Sequence, residues 1–188
     1  MDMSTKQVEE IHEVTIPVPD PVKASVSHKI LFVQGPLGKT RKTFKKIPVD
    51  LAVDGKNIVI KSLGDRKRDY AIFKTAESIV NTLIKGVQTG YTFKMKIVYA
   101  HFPITVKVKD GYIHVENFQG ERAARVSKIF GDTKVVPKGD DVIITGPVLT
   151  DVSQTAGALQ QNTKVKNKDH RVFLDGLYLF EKLDKIEK

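Results

Sequence analysis

Lys39, Arg41, Lys42, Lys45 and Lys46 follow directly on Gly35-Pro36-Leu37-Gly38, with Phe44 among them. Two chemistries would use such a stretch. A glycine-rich loop ending in Gly38-Lys39-Thr40 could cradle phosphates in a nucleotide-binding enzyme, its lysine neutralising their charge. A cationic loop could instead grip the backbone of a nucleic acid. Spacing decides against the first, because the phosphate-loop pattern GxxxxGK[ST] requires glycine at position 33, where valine stands. Moreover, Arg41 to Val53 reads as basic loop and strand, with Pro48 inside it. A phosphate loop must open a helix whose first amides point at the anion. The enzyme that would use Gly35 to Thr40 is therefore the lesser alternative, and a glycine turn followed by a solvated cationic loop is the plain one.

Other catalytic constellations have less to offer. The histidines at 12, 28, 101, 114 and 170 form no i, i+4 pair, and without cysteine they have no thiolate partner, so no metal or cofactor is expected. Adjacent carboxylates occur at Glu9-Glu10 and Asp140-Asp141, where strand geometry would send them to opposite faces. No serine sits in a GxSxG turn. Arg66-Lys67-Arg68 is flanked by Asp65 and Asp69, which neutralise part of its charge. A further cluster, Lys164, Lys166, Asn167, Lys168, Asp169, His170 and Arg171, mixes point charges with directional donors and a ring that can stack. That mixture suits a folded RNA recognised by its shape. Nothing resembles a helix-turn-helix, basic zipper or zinc finger, which weakens a DNA reading.

These side chains must be held by something, and the apolar pattern says what. Val22, Ala24 and Val26, then Ile30 and Phe32, alternate with polar residues across Ser27-His28, as in a hairpin. The same plan returns 82 residues later, where Ile104, Val106 and Val108 precede Asp110-Gly111 and Tyr112 to Val115. Asp-Gly is a strong hairpin turn. Leu31 and Val33 fall on Ile113 and Val115, Gly38 falls on Gly120, and Lys39 and Arg41 are matched by Arg122 and Arg125. Further strands are expected over 47–53 and 58–63 in the first copy, and over 126–129 and 142–145 in the second, while 132–138 reads as a short loop. Apolar residues at three and four predict a helix from Ala71 to Val87 and a thinner one from Asp151 to Lys164. Closing strands are expected over 91–102 and 171–179, with Tyr91 to Phe93 over Arg171 to Phe173. The expectation is an α+β protein of two tandem modules, each a mainly antiparallel sheet with one packed helix. Residues 1–100 would form the first, with a short acidic N-terminal segment, and 101–188 the second.

Composition narrows the partner. Of 188 residues, 31 are Lys or Arg and 22 are Asp or Glu, a formal charge of +9 with a pI near 9.6. Such an excess favours a polyanion. The charge is uneven, since residues 1–20 hold one lysine and five acids while 21–63 hold nine basic residues and two aspartates. The absence of cysteine permits a reducing compartment. No apolar leader or long apolar run predicts secretion or membrane insertion.

Several segments carry a family resemblance. Val33 to Gly38, Ile84-Lys85-Gly86-Val87 before Gly90-Tyr91, Lys94-Met95-Lys96, Val98 to Ile104 (VYAHFPI), Thr163 to Asp169 (TKVKNKD) and Phe173-Leu174-Asp175-Gly176 resemble the large-subunit ribosomal protein universally numbered six, in its eukaryotic and archaeal form. The similarity runs from about Ile16 to Lys182. It implies two copies of one α+β module and binding to large-subunit rRNA near the sarcin-ricin loop and the stalk base, where translation factors dock, with 101–188 as the main RNA-binding module. It also implies neighbouring ribosomal proteins as partners, no small-molecule substrate, and a cytoplasmic, ribosomal location, nucleolar during assembly if the source is eukaryotic. By motif it places Gly157, Gln160, Gln161, Lys164, Lys166, Asn167, Lys168 and Arg171 on RNA, and His170 and the Lys39 to Lys46 cations join them as candidates. His170 and Val172 depart from the isoleucine and lysine common there, and the chain has no longer C-terminal tail.

Overall fold

The computed structural model describes residues 12–186, so most of the acidic N-terminal segment, residues 1–11, lies outside the described residues. The chain divides into two compact units, Met1–Gln88 and Thr89–Lys188. Both are helix on antiparallel sheet, so the α+β class holds.

In the first unit β2 (Lys23–Ser27), β3 (Ile30–Gly35) and β4 (Gly38–Thr43) form one sheet in the order β2-β3-β4. A second sheet pairs β1 (Glu13–Pro17), β6 (Asn57–Ser62) and β5 (Val49–Asp54) in the order β1-β6-β5. Strand periodicity decides which residues go inward. Leu31 and Val33 are buried, and Phe32 faces out, the reverse of the facing that the Ile30 and Phe32 alternation suggests. Phe44, expected among the loop cations, is fully buried, as are Ile58 and Ile60. Each such side chain stabilises the unit by ~1.5–3 kcal/mol relative to exposure. Helix α1 (Lys67–Gln88) covers this core with Phe73, Ala76, Val80, Leu83, Ile84 and Val87. It begins four residues before Ala71, because its first turn is charged and outward-facing and so shows no apolar period. Asp69 in that turn and Lys85 in the last suit the helix dipole.

In the second unit β8 (Thr105–Lys109), β9 (Tyr112–Glu116) and β10 (Arg125–Lys128) repeat the hairpin sheet. The turn Asp110-Gly111 has φ of 52° and 76°, the left-handed pair that a two-residue hairpin needs. The larger sheet runs β11 (Lys134–Lys138), β12 (Asp141–Gly146), β7 (Tyr91–Val98) and β13 (Gly176–Leu183). Helix α2 (Leu149–Asn162) packs Val152, Ala156 and Leu159 onto the core.

Several sequence expectations change here. The strand starting at Tyr91 does not close the first unit, because β7 hydrogen-bonds to β12 on one side and β13 on the other. The boundary therefore falls at 88/89 and not at 100/101. Its counterpart is β1, since β1-β6-β5 and β7-β12-β11 have the same order, and β13, beginning at Gly176 instead of Arg171, has no equivalent. Residues 132–138 are not only loop, for Lys134 to Lys138 pairs with β12, its Pro137 tolerated because β11 is an edge strand. Residues 126–128 belong to the hairpin sheet. Finally, Gly38 and Gly120 are not equivalent: a tight turn joins Gly35 to Gly38, while residues 117–124, with a 3₁₀ turn at Phe118–Gly120, separate β9 from β10.

Candidate nucleic-acid interface

The candidate phosphate loop is a hairpin end. Gly35 and Gly38 face each other across Pro36-Leu37, and strand β4 follows where a helix would be required. Gly35 has a packing reason of its own: a Cβ there would stand 2.7 Å from the Val87 carbonyl oxygen and 2.8 Å from its Cγ2. The Leu37 N–H donates to that same oxygen at 3.1 Å. Helix α1 thus closes on the hairpin, and the nucleotide-enzyme alternative loses its geometry.

The five cations that follow do not form one loop patch. Lys39 and Arg41 point outward from β4, whereas Lys42 sits half-buried on its other face, as alternation demands. Lys45 and Lys46 are exposed on the connection to β5.

The second unit gathers its candidates more tightly. Gly157, Gln160, Gln161 and Lys164 recur at three and four, so they share the outer face of α2 and its C-terminal extension, and all four are exposed. Gly157 is singular. An added Cβ would meet nothing within 4 Å and its φ is not positive, so neither crowding nor backbone strain explains a glycine in mid-helix. Glycine there costs about 1 kcal/mol relative to alanine. What it provides is a stretch of bare helix backbone that another chain can approach closely.

Beyond the helix the chain extends. Thr163 and Val165 are buried, so Lys164 and Lys166 both project outward. Asn167, with φ 59°, then turns the chain. Gln160, Gln161, Lys164 and His170 border one cleft of about 210 Å³. Lys168 sits apart over the Phe173 ring, 4.7 Å from its centroid, beside a small hollow that also involves His101 and Gln119. Lys166, Asn167 and Arg171 are exposed and border neither. Arg171 is not a bare cation. Its Nη2 donates to Asp169 Oδ2 at 2.8 Å, and its backbone N–H donates to Oδ1 at 2.9 Å, which holds the Asp169 carboxyl below its ordinary range. The pair is solvent-exposed, so separating it costs little. Gln160 is likewise engaged: its Oε1 accepts the Leu179 N–H at 3.3 Å, and Thr163 Oγ1 accepts that of Leu177 at 3.2 Å. These two contacts cover the open edge of β13.

The residue that sequence reasoning passed over is Arg125, noted only as a repeat match. From β10 its Nη1 donates to the carbonyls of Asn162 at 2.8 Å and Lys164 at 3.3 Å, capping the end of α2. Its guanidinium lies 4.0 Å from the Phe118 ring centroid, and Nε and Nη2 clasp Glu121 at 2.8 and 2.6 Å. Those hydrogen bonds come first among the causes that lower the Glu121 pKa, and the nearby Lys168 charge adds to them. Arg125 therefore fixes where Lys164 to Lys168 begin. The four-residue spacing of Glu121 and Arg125 was the available signal, but the chain between them is not helical. A second missed contact joins two of the motif segments, since buried Asp175 accepts the Ala100 N–H at 3.0 Å.

Among the described residues no group of three or more His, Asp or Glu side chains could hold a metal ion, and no helix is long and apolar enough to cross a membrane. No family model matches the chain. Curated relatives do. The large ribosomal subunit protein uL6 of Methanobrevibacter smithii is 41% identical over 167 residues, which is 89% of this chain and 94% of that protein. Its namesake in Halobacterium salinarum is 40% identical over 169 residues, covering 90% and 95%. That of Methanocella arvoryzae is 37% identical over 181 residues, covering 96% and 99%. With identity at this level along nearly the whole length of each protein, the chain belongs to the uL6 family of large ribosomal subunit proteins.

Proposed function

We propose that the chain is a structural constituent of the large ribosomal subunit, not an enzyme, and that it acts by binding large-subunit rRNA through its second unit. The observation that carries this reading is the outer face of α2, where the unexplained Gly157 lines up with Gln160, Gln161 and Lys164 and the chain runs on into Lys166 and Lys168. Bare backbone lets an RNA strand come close. Lysines neutralise its phosphates, and Gln161, Asn167, His170 and Arg171 supply directional contacts. Recognition is of RNA shape, from a rigid platform that Arg125 and Val165 hold. The site in the subunit is proposed as rRNA near the sarcin-ricin loop and the stalk base, beside neighbouring ribosomal proteins, where a fixed rRNA helix supports docking of translation factors. The location is the ribosome in the cytoplasm.

The test is the double variant Lys166→Glu/Lys168→Glu. It should bind an rRNA fragment carrying that region more weakly and with a salt dependence shallower by about two in the log–log slope, because two phosphate contacts are gone. It should also be lost from large subunits after a high-salt wash that the unaltered chain survives. Equal affinity and an unchanged slope would remove the second unit from the interface.

A further inference from the structure

We propose that the outer face of the β2-β3-β4 sheet in the first unit is a separate RNA site, which takes unpaired nucleotides by stacking a base on Phe32; it rests on the rRNA-binding reading above. The strand register sets Lys23, Gln34 and Lys39 in one cross-strand row, with Ser25, Phe32 and Arg41 in a row on the same face two residues along. All six side chains are exposed. Phe32 is 38% exposed while its strand neighbours Leu31 and Val33 are 0% and 1%, so it is displayed, not misplaced from the core. It borders a cleft of about 500 Å³ together with Lys23, Ser25, Gln34 and Lys39.

The surroundings choose the occupant. The face carries three cations and no acid, and none of the three makes an ion pair among the described residues. An aromatic ring inside a positive groove is the arrangement that single-stranded nucleic acid uses, bases on the ring and phosphates on the cations. Ser25 and Gln34 can bond a base edge or a ribose hydroxyl. A protein-docking face would instead present a broader apolar patch with charge confined to its rim. Duplex RNA is excluded as the occupant of the ring, since its bases are already stacked.

The chain contains no tryptophan, so Phe32→Trp installs a single indole at the centre of the site. Titrating the full-length variant with a ten-nucleotide oligouridylate should quench its emission, with an affinity that falls steeply as salt rises. Phe32→Leu, which keeps the apolar contact and removes the π face, should bind the oligonucleotide roughly five- to 100-fold more weakly, and Phe32→Tyr should bind it as the unaltered chain does. Thermal melts of each variant confirm folding. The Lys166→Glu/Lys168→Glu variant should keep oligonucleotide binding while losing the structured rRNA fragment, so the two readings fail separately. Oligonucleotide binding unaffected by Phe32→Leu would overturn the site, as would indole emission that stays unquenched in a folded Phe32→Trp chain. So would quenching by an acidic peptide that outcompetes the RNA.

Discussion

Gly157 offers a test in which stability and binding move in opposite directions. In the free chain a side chain at this position enters open space, since nothing beyond its chain neighbours and the adjoining helix backbone lies within 4 Å of the Cβ it would carry. Gly157→Ala therefore adds no clash. It restricts the unfolded chain and improves helix propensity, worth about 0.4–1 kcal/mol. For a unit of this size that raises the melting temperature by roughly 2–8 °C, readable by circular dichroism. Gly157→Leu should also fold, because the face is solvent in the free protein. If an RNA strand lies against the bare backbone, however, the added isobutyl group must displace it. We expect Gly157→Leu to weaken binding of the rRNA fragment at least tenfold, or ~1.4 kcal/mol, with Gly157→Ala falling between that variant and the unaltered chain. Two results would refute the reasoning. A loss of stability in Gly157→Ala would mean that the glycine serves the protein's own packing, and undiminished RNA binding by Gly157→Leu would mean that this face is not the contact.

Gly35→Ala should do the opposite, destabilising the first unit by ~1–3 kcal/mol in urea denaturation, because the Val87 carbonyl is backbone and cannot swing away. The turn at His28-Lys29 holds both residues at positive φ, 49° and 59°, so replacing the pair with Asn-Gly should stabilise the hairpin by about 1 kcal/mol, less the small loss of the exposed Lys29–Asp50 pair. Thermal melts of that variant give the comparison. Glu121 has its pKa lowered in the folded state by Arg125, so its contribution is present above the ordinary value of 4.5 and lost as pH falls below that value through the folded pKa. Urea midpoints should consequently fall more steeply below pH 4.5 in the unaltered chain than in Glu121→Gln.

What the sequence made legible followed from period and turn chemistry. Alternation with Asp110-Gly111 located β8 and β9, and three-and-four spacing located both helices, because each signal is local. Topology is not local. Tyr91 to Val98 is unmistakably a strand, yet nothing in its residues says whether it pairs backward or forward, and it pairs forward with β12 and β13. Lys134 to Lys138 escaped notice because an edge strand with one buried face, three lysine or proline positions and neighbouring turns has almost no apolar run. For the site, residue types were legible and their grouping was not. Lys39, Arg41 and Lys42 look alike along the sequence, but β4 sends Lys42 to the other face. The positioning role of Arg125 depends on a contact with carbonyls 37 and 39 residues away, which no spacing rule reaches.

The two units share an order of strands and differ in what was added to the second, and those additions surround the candidate RNA face. Where the first unit turns tightly through Pro36-Leu37, the second has residues 117–124. That longer connection supplies Phe118 under the Arg125 guanidinium and Glu121 against its side. Where the first unit ends with its helix, the second continues through Lys164 to Lys168 into β13, whose open edge is closed by Gln160 and Thr163. Both additions act on the C-terminal end of α2. A helix of only 14 residues with a thin apolar stripe gains little from its own propensity, so its last turn must be held by tertiary contacts if the lysines beyond it are to keep one geometry. Shape recognition of a folded RNA needs that geometry fixed beforehand, since every side chain ordered only on binding subtracts from affinity. The thin apolar stripe of α2 and the contacts of Arg125, Glu121 and β13 are thus two sides of one arrangement: a helix that buries little on the core is anchored instead at the end where the cations begin.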